Sequence, residues 1–363
     1  MAKRSLFKTL SIPREWGLVT PEWMTLAIAS RCPDARVSGV ELVENDDGTN
    51  RRARFQLTYA EGAGPQRVFV KAHAANHRIT HLRNGNLFNE ARLFASGVDL
   101  PLEHPLVYAS KADYLRLDFL LVMEDLLARE ADPRDATRPM TVDQVANGLQ
   151  GLARLHSAFW DTGIRSRREL RWVKKWRPSK GWQVGLRKCV PRGMERGCDN
   201  LPGAVLELGP ERVVDLWVRY VGSLCRQPET LLHGDAHIGN TYILPNDDTG
   251  FLDWQVVRRG NWSQDVGYFL VSALNTEDRR RVEADLVELY RTALDVPSNS
   301  RPSSEEAFLW YRASAAYGLT IWLSTLGTDG YQSREVSSIL AQRYAAAFVE
   351  LDSMTALNDI SGR

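Results

Sequence analysis

Two short stretches hold the residue types that could move a phosphoryl group. Leu231-Leu232-His233-Gly234-Asp235-Ala236-His237-Ile238-Gly239-Asn240 runs from apolar residues into a polar loop. Thirteen positions past Asn240, Phe251-Leu252-Asp253-Trp254 places a second acid at the end of a second apolar run. Phosphoryl transfer needs a carboxylate that orients an acceptor hydroxyl and takes its proton, and oxygen ligands that hold Mg²⁺ against nucleotide phosphates. Asp235 suits the first role. Asn240 and Asp253 suit the second, provided that two strand ends make them converge. The same loop admits another chemistry, in which His233, Asp235 and His237 form an H-x-D-x-H zinc cluster of a metal-dependent hydrolase. That reading leaves Asn240 and Asp253 without roles.

The run His-x-Asp-x-x-x-x-Asn, followed closely by a hydrophobic-Asp-aromatic strand, resembles the aminoglycoside phosphotransferase and choline kinase superfamily. The form HGD-x-H-x-GN is similar to the choline kinase-like and ecdysteroid kinase-like branches. The resemblance implies a bilobal protein-kinase-like fold, ATP or GTP with magnesium, and a small hydroxylated acceptor. His233, Asp235 and Asn240 match the catalytic loop position by position, and Asp253 matches the metal-binding aspartate. Gln264-Asp265-Val266-Gly267-Tyr268 resembles a D-x-x-Y segment whose aspartate braces the loop backbone. Leu152-Ala153-Arg154-Leu155-His156 resembles the helix ahead of the catalytic half, with His156 as a packed helix residue. A non-catalytic nucleotide-binding relative is a further alternative, although every expected polar residue is present.

Other positions are assigned by the same likeness. Lys71 ends the strand Arg67-Val68-Phe69-Val70-Lys71, and Glu90 lies on the next helix, as in the lysine–glutamate pair of kinases, where the lysine meets the α- and β-phosphates. Leu121-Val122-Met123-Glu124-Asp125-Leu126 resembles the hinge, where backbone groups at Met123, Glu124 and Leu126 would hydrogen-bond adenine. No G-x-G-x-x-G is present. Asp46-Asp47-Gly48-Thr49-Asn50 is either a plain hairpin turn or the phosphate-covering loop, with Gly48 flexible, Thr49 and Asn50 donating, and both aspartates turned outward.

The elements that must position these residues change in texture along the chain. Thr20-Pro21-Glu22 opens a helix. Between Val37 and Met123, short alternating runs such as Phe55, Leu57 and Tyr59 predict strands, with a helix at Leu87–Ala95. After Glu124 helical spacing dominates: Val142–Trp160, Leu206–Leu224, Asp278–Leu294, Glu305–Gly327 and Ser333–Asp352. The expected class is α+β: an N-terminal antiparallel sheet lobe with one main helix, then a mostly helical lobe. The expected divisions are an N-terminal helical extension at 1–36, a nucleotide-binding lobe at 37–124, and a catalytic and substrate lobe at 125–363.

Bulk properties set outer bounds. The chain has 363 residues, and 46 Lys and Arg against 45 Asp and Glu leave a formal net charge of +1, which gives no global argument for nucleic acid or a membrane. No secretory leader is read at the start, and no apolar stretch has the length of a membrane span. The four scattered cysteines lack C-x-x-C spacing, and a reduced cytoplasmic setting is the simplest expectation. Residues 161–200 read as irregular and polar, with 12 Lys and Arg against four acids and three interleaved tryptophans. Such charge suits an anionic or amphipathic alcohol better than a polycationic aminoglycoside, or is a solvated face. No oligomeric state is readable.

Overall fold

A computed structural model describes residues 10–47, 50–74, 85–226 and 228–362. The chain divides into two compact units, Met1–Gly97 with Pro105–Arg129, and Val98–His104 with Glu130–Arg363.

The first unit is built on five antiparallel strands in the order β1-β2-β3-β5-β4. They are β1 (Arg36–Asp47), β2 (Asn50–Glu61), β3 (Arg67–His73), β4 (Val107–Asp113) and β5 (Asp118–Glu124). Alternation sorts the side chains of β3 and β5 to two faces. Val68, Val70, Ala72, Leu120 and Val122 join one core with Met24 and Ile28 of helix α1 (Pro21–Ile28). Phe69, Phe119, Leu121 and Met123 join another with Ala91 of helix α2 (Asn89–Ala95). Thr20 caps α1 by accepting from the Trp23 amide at 3.2 Å, with Pro21 at the first helical position.

The second unit is mostly helical. Helix α3 (Val142–Ala158) opens on a Thr141–Gln144 capping box and buries Val145, Leu149, Leu152 and Leu155 on one stripe. Helices α5 (Gly209–Ser223), α6 (Ser263–Ala273), α7 (Thr276–Ala293), α9 (Arg334–Glu350) and α10 (Ser353–Gly362) pack around α8 (Ser304–Leu326) or beside it. Two small ladders carry the polar loops: β7 (Thr230–Leu232) pairs with β10 (Arg258–Gly260), and β6 (Asp132–Pro133) with β8 (Thr241–Ile243) and β9 (Thr249–Phe251).

Part of the segment expected to be irregular is the 18-residue helix α4 (Lys180–Gly197), capped by Ser179 and packed on α8. Its exposed residues are so polar that helical spacing is diluted, and Pro191 interrupts the pattern. Gly193 permits the contact, because a Cβ there would lie 1.8 Å from the Leu323 carbonyl. Among the described residues, no helix is long and apolar enough to cross a membrane.

Candidate active site

In the first unit, β3 alternation puts Lys71 on the α2 face, with Leu121 as its neighbour across the ladder. There its Nζ meets Glu90 Oε2 at 2.7 Å, the two side chains being 6% and 4% exposed. Such a pair has surrendered its hydration, so removing one partner is strongly destabilising. Asn50 opens β2 opposite His73, and its buried side-chain oxygen has no hydrogen-bond partner among the described residues. Gly48 and Thr49 lie outside the described residues. Asp46 is exposed and pairs with Arg52.

Met123 is buried at the end of β5. The Glu124 amide donates to the Leu106 carbonyl at 2.9 Å, and its carboxylate accepts from the Leu106 amide and from Arg129. Leu126 begins a short 3₁₀ turn, held by the Ala128 amide on the Asp125 carbonyl. The acidic side chains at this bend thus serve the backbone.

In the second unit, β7 ends in the polar loop, and α6 suspends that loop from one acid. Asp265 accepts from the His233 amide at 2.7 Å and from the Gly234 amide at 2.8 Å. His156 of α3 reaches the same carboxylate at 3.2 Å, and its other ring nitrogen meets the Tyr290 hydroxyl at 2.7 Å. All of these side chains are buried. Gly234 has φ +84°, and a Cβ there would stand 2.2 Å from the Val256 carbonyl, so only glycine passes. Further on, the Ile238 amide donates to Ser272 Oγ at 2.9 Å.

These restraints gather three of the expected residues. Asn240 Nδ2 donates to the Asp235 backbone carbonyl at 2.8 Å and to its carboxylate at 3.1 Å. The Leu252 amide donates to the Asn240 carbonyl at 2.9 Å, which brings the next residue, Asp253, beside the loop. Asp253 adopts the left-handed conformation at φ 65°, unusual for a non-glycine residue, and Gln255 donates to its carboxylate at 2.6 Å. Burial, then the charge of Asp253, push the Asp235 carboxyl up to about 7, while the Asn240 donor opposes the rise. Two crowded carboxylates beside an amide oxygen are a donor set that fits a hard divalent cation such as magnesium.

The two histidines are committed elsewhere. His233 Nδ1 accepts from the Asp235 amide at 3.3 Å, so its Nε2 carries the proton given to the Leu252 carbonyl at 3.0 Å. His237 Nδ1 accepts from the Gly239 amide at 3.0 Å, and burial lowers its pKa to about 3, keeping the ring neutral. Among the described residues, no group of His, Cys, Asp and Glu side chains is arranged to hold a metal ion by itself, so the zinc cluster does not form.

Sequence reasoning singled out Asp265 and His156 but not the bond between them. It also missed Tyr290, Ser272 and Gln255. Only Gln255, two residues past Asp253, had a positional signal.

The model of the phosphotransferase enzyme family matches residues 54–301, more than half of the chain. No curated protein matches the sequence. Among solved structures, the chain is similar to a spectinomycin phosphotransferase in complex with ADP and spectinomycin, at 13% identity and a TM-score of 0.50, over 92% of this chain and 98% of that one. It is similar also to a choline kinase from Cryptosporidium parvum, at 11% identity and a TM-score of 0.50, over 95% of this chain and 97% of that one. At such identities the likeness speaks for the fold, which is kinase-like.

Proposed function

Because the chain belongs to the phosphotransferase enzyme family, we propose that it passes the terminal phosphoryl group of ATP or GTP, with magnesium, to a hydroxyl group of a small molecule. The observation that carries this reading is the convergence of Asp235, Asn240 and Asp253 on one braced loop.

Asp235 orients the acceptor hydroxyl and takes its proton. A carboxyl group pushed up toward neutrality by burial and by Asp253 is a more effective base than an exposed aspartate. Asn240 sets its rotamer through the bond to the carboxylate. Asn240 and Asp253 would hold magnesium, which when bound supplies charge neutralisation at the phosphates. Glu90 keeps Lys71 extended for the α- and β-phosphates. Gly48, Thr49 and Asn50 are assigned to cover the phosphates, and the backbone of Met123, Glu124 and Leu126 to receive the base. In this reading 37–124 is the nucleotide-binding lobe and 125–363 the catalytic and substrate lobe.

The test is Asp235→Asn. Acceptor-dependent ADP formation should vanish, while nucleotide with magnesium still raises the unfolding midpoint. Full transfer by the variant would overturn the assignment.

A further inference from the structure

Strand β2 carries Arg51, Arg52 and Arg54 near its start, and the sheet commits them differently. Arg51 is bound to backbone. Its Nε donates to the His73 carbonyl at 3.1 Å, and its two Nη atoms donate to the Arg14 and Pro13 carbonyls at 2.7 and 2.9 Å. Arg52 and Arg54 lie on the opposite face, which strand alternation shares with Lys71 and Phe69. Two rows of side chains cross the ladders there. One runs Glu44, Arg54, Phe69 and the other Asp46, Arg52, Lys71, each residue directly opposite the next.

The first row is closed. Arg54 pairs with Glu44, stands 5.6 Å over the Phe69 ring, and through Nε meets the buried Asp125 carboxylate at 3.3 Å. The second row is held more loosely. Among the described residues Arg52 meets one carboxylate, that of Asp46, through Nη2. The two side chains are 43% and 61% exposed, and an ion pair so open to water contributes little. The Arg52 Nε is buried and finds no acceptor among the described residues. Nε and Nη2 form the edge of a guanidinium that grips two oxygens of one phosphate, and Asp46 uses only half of it. Setting Arg52 directly opposite Lys71 also brings two cations together across a ladder, an arrangement that is unfavourable in a sheet.

Building on the kinase reading above, we infer that Arg52 is a second cation for the phosphate chain of the nucleotide, beside Lys71, and that Asp46 occupies it until nucleotide binds. A phosphate displaces the Asp46 carboxylate, and the guanidinium turns to present both Nε and Nη2 to its oxygens. Glu90 already balances Lys71, so a polyanion gains most from a cation that can change partners. The chain has no G-x-G-x-x-G run, and a side chain of β2 here does the work that a glycine-rich loop does over the phosphates of protein kinases.

The experiment is calorimetric binding of ATP and of GTP with magnesium, in the absence of any acceptor, to the wild type, Arg52→Gln, Asp46→Asn and the double variant. Arg52→Gln should raise the Kd of the better-bound triphosphate about tenfold, the size of one charge-assisted hydrogen bond. Asp46→Asn should instead lower that Kd by about threefold, because the competing carboxylate is gone, and the gain should vanish in the double variant. A purely structural pair would behave otherwise: both single variants break the same hairpin contact, so both would shift binding in one direction. An unchanged Kd in Arg52→Gln, weaker binding in Asp46→Asn, or a gain that survives in the double variant would each overturn the inference and leave the kinase reading standing. Binding of neither triphosphate by the wild type would overturn both.

Discussion

Replacing Asp235 with Asn should stabilise the nucleotide-free protein, and more so the higher the pH. The carboxyl group titrates at 3.8 in an unfolded chain and at about 7 in the fold, because burial and Asp253 disfavour its charge. The folded state therefore binds the extra proton across that window. Its stabilising contribution is complete below the unfolded value and is lost as pH rises toward 7. At about 1.4 kcal/mol per unit, the wild type should lose about 2–3 kcal/mol between pH 5 and pH 8 through this group alone. The substituted asparagine carries no proton to lose, and its amide oxygen still accepts from Asn240. Urea unfolding of both proteins in chelator, at pH 5 and pH 8, reads the difference, since groups that do not face residue 235 titrate alike in the two. The gap should widen with pH in favour of the variant, and magnesium with nucleotide should narrow it by restoring a cation to the wild type. A gap that stays constant from pH 5 to pH 8 refutes the electrostatic account of the loop.

Lys71→Ala removes the buried ammonium that meets Glu90 and should cost about 3–5 kcal/mol in chemical denaturation. Adding Glu90→Leu should return much of that stability, without returning activity, in a double-mutant cycle. Gly234→Ala forces a Cβ into the Val256 carbonyl at a left-handed φ and should lower stability by about 2–4 kcal/mol, with kcat falling further than the fold alone explains. Asp265→Asn exchanges an acceptor oxygen for an NH₂ beside two backbone donors. It should reduce kcat strongly while the nucleotide-induced rise in unfolding midpoint changes little; a variant with normal kcat would show that the brace is dispensable.

How much of this was legible in the residues depended on the range of the signal. Strand alternation around Phe55 and around Val68–Val70 is a local pattern, and it set both the sheet and the face on which Lys71 lies. The H-x-D-x-x-x-x-N run is equally local, and Asn240 does close back on Asp235. Helix α4 escaped notice because its core stripe is narrow and interrupted by Pro191. The supports of the loop were hidden for another reason. His156 and Tyr290 are 134 positions apart, and no spacing rule joins a helix histidine to a tyrosine that distant.

Strand β3 has one further consequence. Its residues are read in pairs, odd positions to one side and even to the other, so the strand tolerates no frameshift of a single amino acid. Deleting one residue between Arg67 and Val70 would transpose the faces, driving the Lys71 ammonium toward Met24 and Ile28 and presenting an aliphatic side chain to Glu90. Inserting two residues would preserve the alternation, at the expense of the turn. Variation in length should therefore be absorbed in the hairpin between β2 and β3, while the strand itself keeps its count.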